Sequence, residues 1–385
     1  MLGGAVAVLL LDQITLRDAI SSINLEVMVF LFSMFIVGEA LMRGGYLSCI
    51  AQLLFSRAQS PSGIILIVLF GIGMLSAILM NDTLAIIGTP LVLLLAERDR
   101  FPPKLLLIAL AVAITTGSIA SPIGNPQNLL IAAGSGMHSP FIVFIAYLLV
   151  PTIAGLGAAY LVIRWMFPDE FAVRSLARID VRISDPDLAR LSMWSLGIVI
   201  TLAGASIASS FLGWGLPISL PFIALAAAAP ILVFSPRRLE IVRGIDYPTL
   251  IFFAAMFVLM ASVWQSGYFQ SFIPSFAGSP LQILAISIIL PQFVSNVPFV
   301  ALCLPVMMGA NVPALSLMAL AAGSTIAGNL TILGAASNVI IIENAERQGQ
   351  TFTFTEFARV GIPITLIQAV IFGIYFSAIG MAGAA

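Results

Sequence analysis

The sequence predicts an all-α polytopic membrane protein, an inverted repeat with two helical hairpins and two broken transmembrane helices. Three observations carry that prediction. Of 385 residues, 60% are hydrophobic and 9% charged, against roughly 45–50% and 25% in a soluble domain; too few charges remain to cover a water-exposed surface. Gly (31) and Pro (22) are scattered through the apolar runs, which lack the alternation of barrel strands. Polar breaks interrupt four of those runs and form two matched pairs.

Apolar runs bounded by charge or turn residues place spans at roughly 1–11, 27–43, 104–136, 141–165, 190–212, 215–234, 248–265, 313–346 and 359–381. The stretches 62–97 and 280–309 have a polar centre and read as hairpins that return to their own side. The runs 104–136 and 313–346 are too long for one plain span, and each carries a Gly/Asn-rich break. With that parity, 15 of the 16 Lys and Arg fall on the side of the N-terminus, and only Arg17 faces away. The positive-inside rule makes that side the cytoplasm and puts the C-terminus outside. The expectation is a multi-pass protein of the plasma (inner) membrane. Its halves are 1–166 and 190–385, joined by a cytoplasmic linker, 167–189, of mixed Asp, Glu and Arg. A net charge of −1 with one His leaves no basic surface for nucleic acid. Cys49 and Cys303 stand far apart in apolar contexts and make neither a metal pattern nor a disulfide framework.

The halves resemble each other. Ile23-Asn24 matches Ile245-Asp246, and Met34-Phe35 and Gly45-Tyr46 match Met256-Phe257 and Gly267-Tyr268, all at an offset of 222. Asn81 and Pro90 match Asn296 and Pro305 at 215, Gly124 and Asn128 match Gly334 and Asn338 at 210, and Pro151 matches Pro363 at 212. Matched segments run in opposite directions by the parity count, the inverted-repeat layout of many secondary transporters. The span 1–11 is about half as long as its partner 215–234, and 190–212 has no N-terminal partner. The repeat logic therefore expects relatives with further N-terminal elements.

The breaks are Asn81-Asp82-Thr83, the run from Ser121 through Gly124, Asn125 and Pro126 to Asn128, Ser295-Asn296-Val297-Pro298, and the run from Gly328-Asn329 through Thr331 and Gly334 to Asn338. A lone Gly/Asn kink is often a packing device. Four in matched pairs leave backbone groups at mid-membrane depth that protein, water or a ligand must satisfy. Asn125 before Pro126 reads as an N-cap followed by a first-position proline. Converging helix N-termini favour an anion, whereas freed carbonyls and Asn or Thr oxygens favour a small cation. Asn81, Asn125, Asn296 and Asn338 are expected around one midplane cavity.

Gly124-Asn-Pro-Gln-Asn-Leu-Leu-Ile131 resembles the first-half signature of the ion transporter superfamily, in its arsenite-permease and NhaD-type branch, and Gly328 to Val339 resembles the second-half counterpart. Asn81-Asp82 resembles the hairpin tip of arsenite permeases, and Ser295-Asn296 the Ser-Asn-Thr tip of the related dicarboxylate carriers. The resemblance covers nearly the whole chain from residue 23 onward. It implies a secondary transporter with a scaffold, a transport domain of two hairpins and two broken helices, an elevator-like motion and a homodimer. The tip Ser-Asn-Val-Pro lacks one hydroxyl of the dicarboxylate pattern, which weakens a sodium–dicarboxylate reading.

Asn81, Thr83, Asn125, Asn128, Ser295, Asn296, Thr331 and Asn338 are the expected solute ligands, and Asp82, Gly124, Asn329 and Gly334 the coupling-ion group. Asp82 is the only carboxylate at a hairpin tip, and a buried ionisable group is a functional candidate by default; its bland reading is a cap on the following helix. Glu39 and Arg43, four apart, read as a structural pair. Glu343 follows the second broken helix, where it would line a pathway. His138 reads as a solvated loop residue, and Trp214 and Tyr268 as an interfacial belt. With no Lys or Arg at the breaks, the site suits a small oxyanion or its neutral acid, such as arsenite or a similar metalloid hydroxide, exported against protons. A sodium/proton antiporter is the first alternative and sodium-coupled carboxylate uptake the second. H+ or Na+ is the expected coupling ion, with no other cofactor. An intramembrane hydrolase would need paired carboxylates, His-rich ligation or a serine with its base, and none is legible. A channel suits paired broken helices less well than alternating access does.

Overall fold

A computed structural model describes residues 1–46, 49–50, 55, 60–99, 101–171, 185–214, 218–267 and 278–382. Most of the linker, 172–184, lies outside the described residues, as do Arg57, Arg100 and Tyr268. Every regular element among the described residues is a helix, with no strand among them.

The first half contains α1 (Leu2–Leu10), α2 (Leu16–Ser22) and α3 (Leu25–Gly44). The first hairpin follows as α4 (Pro61–Leu79), with a π-helical turn at Ile67–Ile72, and α5 (Asn81–Asp99). The first broken helix is α6 (Pro103–Ala120) with α7 (Pro126–Gly134), and α8 (Pro140–Met166) closes the half. The second half contains α9 (Pro186–Leu212), α10 (Leu220–Phe234), α11 (Arg238–Gly244) and α12 (Tyr247–Gln265). The second hairpin is α13 (Pro280–Val294) with α14 (Asn296–Gly309); α15 (Ala314–Leu330) and α16 (Ala336–Glu346) form the second broken helix, and α17 (Phe354–Ala382) is last. Seven of these helices are long and apolar enough to cross a membrane, and α10, α13, α14 and α15 are shorter apolar helices. The short helices α2 and α11 were not legible as spans, being too short and too polar.

The helices form two contact groups that meet where α12 lies against α14 and α3 against α7. In one, α3 lies against α9 and α10, and α12 against α1 and α2. In the other, α4 and α5 pack on α6, α13 on α15, α14 on α7, α16 on α5, and α17 on α8 and α15. Lipid provides no hydrophobic drive for helix association, so close packing of small residues must do it. Gly117 on α6 meets the carbonyl of Gly73 on α4 so closely that a Cβ there has no space.

The sequence repeat has a geometric counterpart. Asn24 caps α3 by accepting from the Val27 N–H at 3.1 Å, and Asp246 caps α12 by accepting from the Thr249 N–H at 3.1 Å. Both hairpins turn on one residue in a left-handed extended conformation, Met80 (φ 66°, ψ 142°) and Ser295 (φ 74°, ψ 157°), which stand 215 residues apart. Side chains other than glycine rarely adopt that region, at a cost of about 1–3 kcal/mol each. The cost falls on the two tips that face the central cavity.

On the side that carries the arginines, ion pairs tie down helix ends. Arg43 pairs with Glu39, and Arg237 bridges Glu240 and Asp185. The Leu188 N–H, first, and then the Arg237 guanidinium hold the Asp185 carboxyl below the usual carboxylate range.

Candidate functional site

The first broken helix is interrupted because its sequence cannot continue as a helix. Pro122 and Pro126 each lack an N–H, and Gly124 lets the chain run against the Ser118 carbonyl. Asn128 satisfies the freed carbonyls: its Nδ2 donates to the oxygens of Ser118 (3.2 Å), Ile119 (3.2 Å) and Ser121 (3.0 Å). Asn125 caps α7, accepting from the Asn128 N–H at 2.8 Å. In the second broken helix Asn338 repeats the brace at an offset of 210, donating to the Gly328 oxygen at 2.7 Å and the Thr331 oxygen at 3.4 Å. Gly334 lies against the Ala327 carbonyl as Gly124 lies against Ser118. The position matched to Asn125 is Ala335, which offers no side-chain cap.

Polar side chains then tie the broken helices to each other and to the hairpins. Asn81 donates its N–H to the Gly124 oxygen (2.9 Å), and its Nδ2 reaches the Ser337 hydroxyl (3.5 Å). Asn125 Nδ2 donates to Ser118 Oγ (2.9 Å) and Thr325 Oγ1 (3.3 Å), and Gln127 Nε2 also donates to Thr325 Oγ1 (3.2 Å). On the second hairpin, Gln292 donates to the Ala327 oxygen (2.8 Å) and accepts from the Thr331 hydroxyl (2.7 Å). Gln368 on α17 accepts from Asn329 Nδ2 and donates to Thr116 Oγ1, both at 2.9 Å, and reaches the Gly155 oxygen at 3.3 Å.

Around this frame lies a cavity of about 720 Å³. Four helix N-termini converge on it: Asn81-Asp82 of α5, Pro126-Gln127 of α7, Ser295-Asn296 of α14 and Ala335-Ala336 of α16. Asp246 and Thr249 of α12 form the facing wall, and Glu343, Asn344 and Arg347 lie along the same lining. Of the residues expected to hold solute, Asn81, Ser295 and Asn296 line this cavity, with Asp82 beside them. Thr83 lines an adjoining hollow instead, against Gly38 of α3. Asn125 and Asn338 do not surround the cavity with Asn81 and Asn296; they are fully buried behind it, as are Asn128 and Asn329, with their amide groups donated to the frame. Thr331 spends its hydroxyl on Gln292, and Gly124 and Gly334 act as close-approach points. The Oδ1 atoms of Asn128, Asn296, Asn329 and Asn338 are buried with no donor against them among the described residues.

Asp82 caps nothing. Its own N–H is capped by Asn81 Oδ1 at 2.9 Å, and its carboxylate, 5% exposed, accepts no hydrogen bond among the described residues. Glu39 is paired with Arg43, as its spacing predicts. His138 lines a second cavity, of about 610 Å³, with Glu26 and several serines. Among the described residues no group of three or more His, Cys, Asp or Glu could hold a metal ion.

Arg347, Gln368 and Asp246, the last named above only as the repeat partner of Asn24, are site residues that the sequence does not mark as such. Gln368 had a signal, a lone amide inside an apolar span, where polar groups are costly unless partnered. Gln368→Leu leaves the Asn329 amide without this acceptor and the Thr116 hydroxyl and Gly155 carbonyl oxygens without this donor. It is expected to cost about 1–3 kcal/mol, read as a lower thermal midpoint of the detergent-purified protein.

A family model described as citrate transporter (CitMHS) matches residues 1–316. The chain belongs to the citrate transporter family. It is a membrane transporter and not an enzyme. Among curated proteins, it is 28% identical to the "Silicon efflux transporter LSI3" of Oryza sativa subsp. japonica, over 96% of this chain and 90% of that one. It is also 28% identical to a "46 kDa membrane protein" of Mycobacterium leprae, over 97% of this chain and 92% of that one. A solved structure, the Alcanivorax borkumensis YdaH transporter, superposes with a TM-score of 0.62 at 19% identity over 94% of this chain and 88% of that one. At that identity the likeness establishes this transporter's fold alone.

Proposed function

We propose that this member of the family is a secondary active transporter of a small inorganic oxyanion or its neutral acid, a metalloid hydroxide of the arsenite or silicic acid kind. Proton-coupled export by an elevator-like movement of the hairpin-bearing body completes the reading. The supporting observation is the charge and donor inventory of the central cavity. Its tips offer amides, a hydroxyl and helix N-termini, while its charged groups are Asp82, Asp246 and Glu343 against the single Arg347. A tricarboxylate would meet three like charges and one guanidinium. A neutral polyhydroxide can exchange hydrogen bonds with Asn81, Ser295 and Asn296, and its monoanion gains from four helix N-termini, each equivalent to roughly half a positive charge. The rice silicon efflux transporter among its relatives supports the same solute class. The arginine-rich side is read as cytoplasm, so this cavity opens inward, beside Arg347.

A specific observation favours a second reading, sodium/proton antiport. Four buried Asn oxygens lack donors, and such oxygens suit a small cation. Purified protein in proteoliposomes with an entrapped pH-sensitive dye separates the readings. Silicic acid or arsenite flux that moves protons is the expected result. Proton movement driven by Na+ alone would establish the antiporter instead, and citrate-driven flux would establish carboxylate transport.

A further inference from the structure

Asp246 carries a charge that its local role does not need. It caps α12 by accepting from the Thr249 N–H (3.1 Å), and it accepts from the Thr249 hydroxyl as well (2.6 Å). At the matched position Asn24 caps α3 with the same geometry and no charge. Asn and Asp are equivalent N-caps, and an ionisable group at a membrane cavity is costly unless it is used. The second half therefore bears a carboxylate where capping asks only for an oxygen.

That carboxylate shares its cavity with Asp82. Both line the central cavity, Asp82 from the first hairpin tip and Asp246 from the start of α12. Asp82 is 95% buried with no hydrogen-bond donor among the described residues. Asn296 Oδ1, on the same cavity wall, is buried and without a donor too. The other charged groups nearby do not compensate. Glu39 and Arg43 of α3 are paired with each other, and Glu343 of α16 and Arg347 just past its end are exposed. α11 brings Gly244, α13 and α14 bring Ser295 and Asn296, and α7 brings Gln127, all uncharged. Two like charges thus share one cavity, one on the hairpin body and one on the scaffold.

Resting on the reading of Asp82 as the coupling carboxylate, we propose that Asp246 is the scaffold half of a monovalent-cation site. It holds H+ or Na+ jointly with Asp82 while the first hairpin is docked as seen here. Movement of the hairpin along the scaffold separates the two carboxylates and removes half of the site. The hold on the cation therefore differs between the two ends of the stroke, which is what coupling requires: a ligand shifts a two-state equilibrium only through differential affinity. Neither the Asn cap at position 24 nor an isolated Asp82 would supply that difference.

The test uses full-length protein in proteoliposomes and, separately, Na+ binding by the detergent-purified protein at fixed pH and proton uptake without Na+. Asp246→Asn, which copies the Asn24 cap, is expected to raise the half-saturating concentration of the cation on the cavity side by roughly tenfold, the scale of losing one charge at close range. Asp246→Ser, another uncharged cap, gives the same shift, and Asp246→Glu reverses most of it. With Asp82→Asn already in place, Asp246→Asn adds nothing, because the pair acts as one unit. If Asp246→Asn leaves half-saturation where it was while Asp82→Asn abolishes cation dependence, Asp246 is a cap only and this inference fails alone. If Asp82→Asn keeps full cation dependence, the coupling reading beneath it fails.

Discussion

Gly124→Ala and Gly334→Ala each abolish transport while the protein still inserts and purifies. One methyl group suffices because of what it meets. A Cβ on Gly124 runs into the Ser118 carbonyl, and a Cβ on Gly334 into the Ala327 carbonyl. Neither obstacle is a flexible side-chain end; both are backbone, and both oxygens are already in use. The Ser118 oxygen accepts from Asn128, and the Ala327 oxygen accepts from Gln292 of the second hairpin. The methyl must therefore displace the helix break from its brace or from its hairpin. Overpacking of this kind costs about 1–3 kcal/mol, which local rearrangement absorbs without unfolding the long helices. Gly124 also lends its carbonyl to Asn81, so its displacement moves the first hairpin tip as well. The measurement is solute flux per inserted transporter. Gly157→Ala and Gly197→Ala, with open space at the Cβ position, serve as controls and transport normally. Normal flux through both Gly124→Ala and Gly334→Ala would mean that the breaks are not held by these close approaches.

The contrast between those glycines and the asparagines shows what the sequence could and could not convey. Breaks, hairpins and matched halves were legible because each leaves a mark along the chain: a proline after Asn125, a polar pair inside an apolar run, a repeated offset. The fold follows from such marks, and the tips at Met80 and Ser295 lie beside the residues that signalled them. Which way a polar side chain points was not legible. Asn296 and Asn338 look alike in sequence, yet one faces the cavity and the other is spent on the carbonyls behind it. A break frees carbonyls on its inner side as well as its outer side, and a long amide can serve either. Asp246 is legible as the repeat partner of Asn24 but not as a cavity residue, for a different reason. Its neighbours in sequence are an ordinary helix start, and only folding brings that start to the same cavity as the tip of a hairpin more than a hundred residues earlier.

Asp82→Asn inserts normally and loses concentrative, proton-dependent transport. Neutral Asn keeps the size of the side chain but cannot bind and release a proton, so solute still equilibrates while no gradient drives it. The tip should stay ordered in this variant, and even in Asp82→Ala, because its order comes from Asn81: the Asn81 N–H holds the Gly124 oxygen, and Asn81 Oδ1 caps the Asp82 N–H. What Asp82 contributes to the helix is only a negative charge in the first turn of α5, worth about 0.3–1 kcal/mol against the dipole. Stability and coupling are thus separable at this residue, unlike at the glycines, where one methyl disturbs both. The experiment imposes a proton gradient on proteoliposomes and follows solute accumulation across a range of pH. Wild type accumulates solute with a pH-dependent rate, whereas Asp82→Asn reaches only the equilibrium level, with a flat profile. Accumulation by Asp82→Asn equal to wild type, with the same profile, would move the coupling group elsewhere. Glu39 is a poor substitute because Arg43 already neutralises it; Glu343, exposed on the cavity lining, would be the next carboxylate to replace.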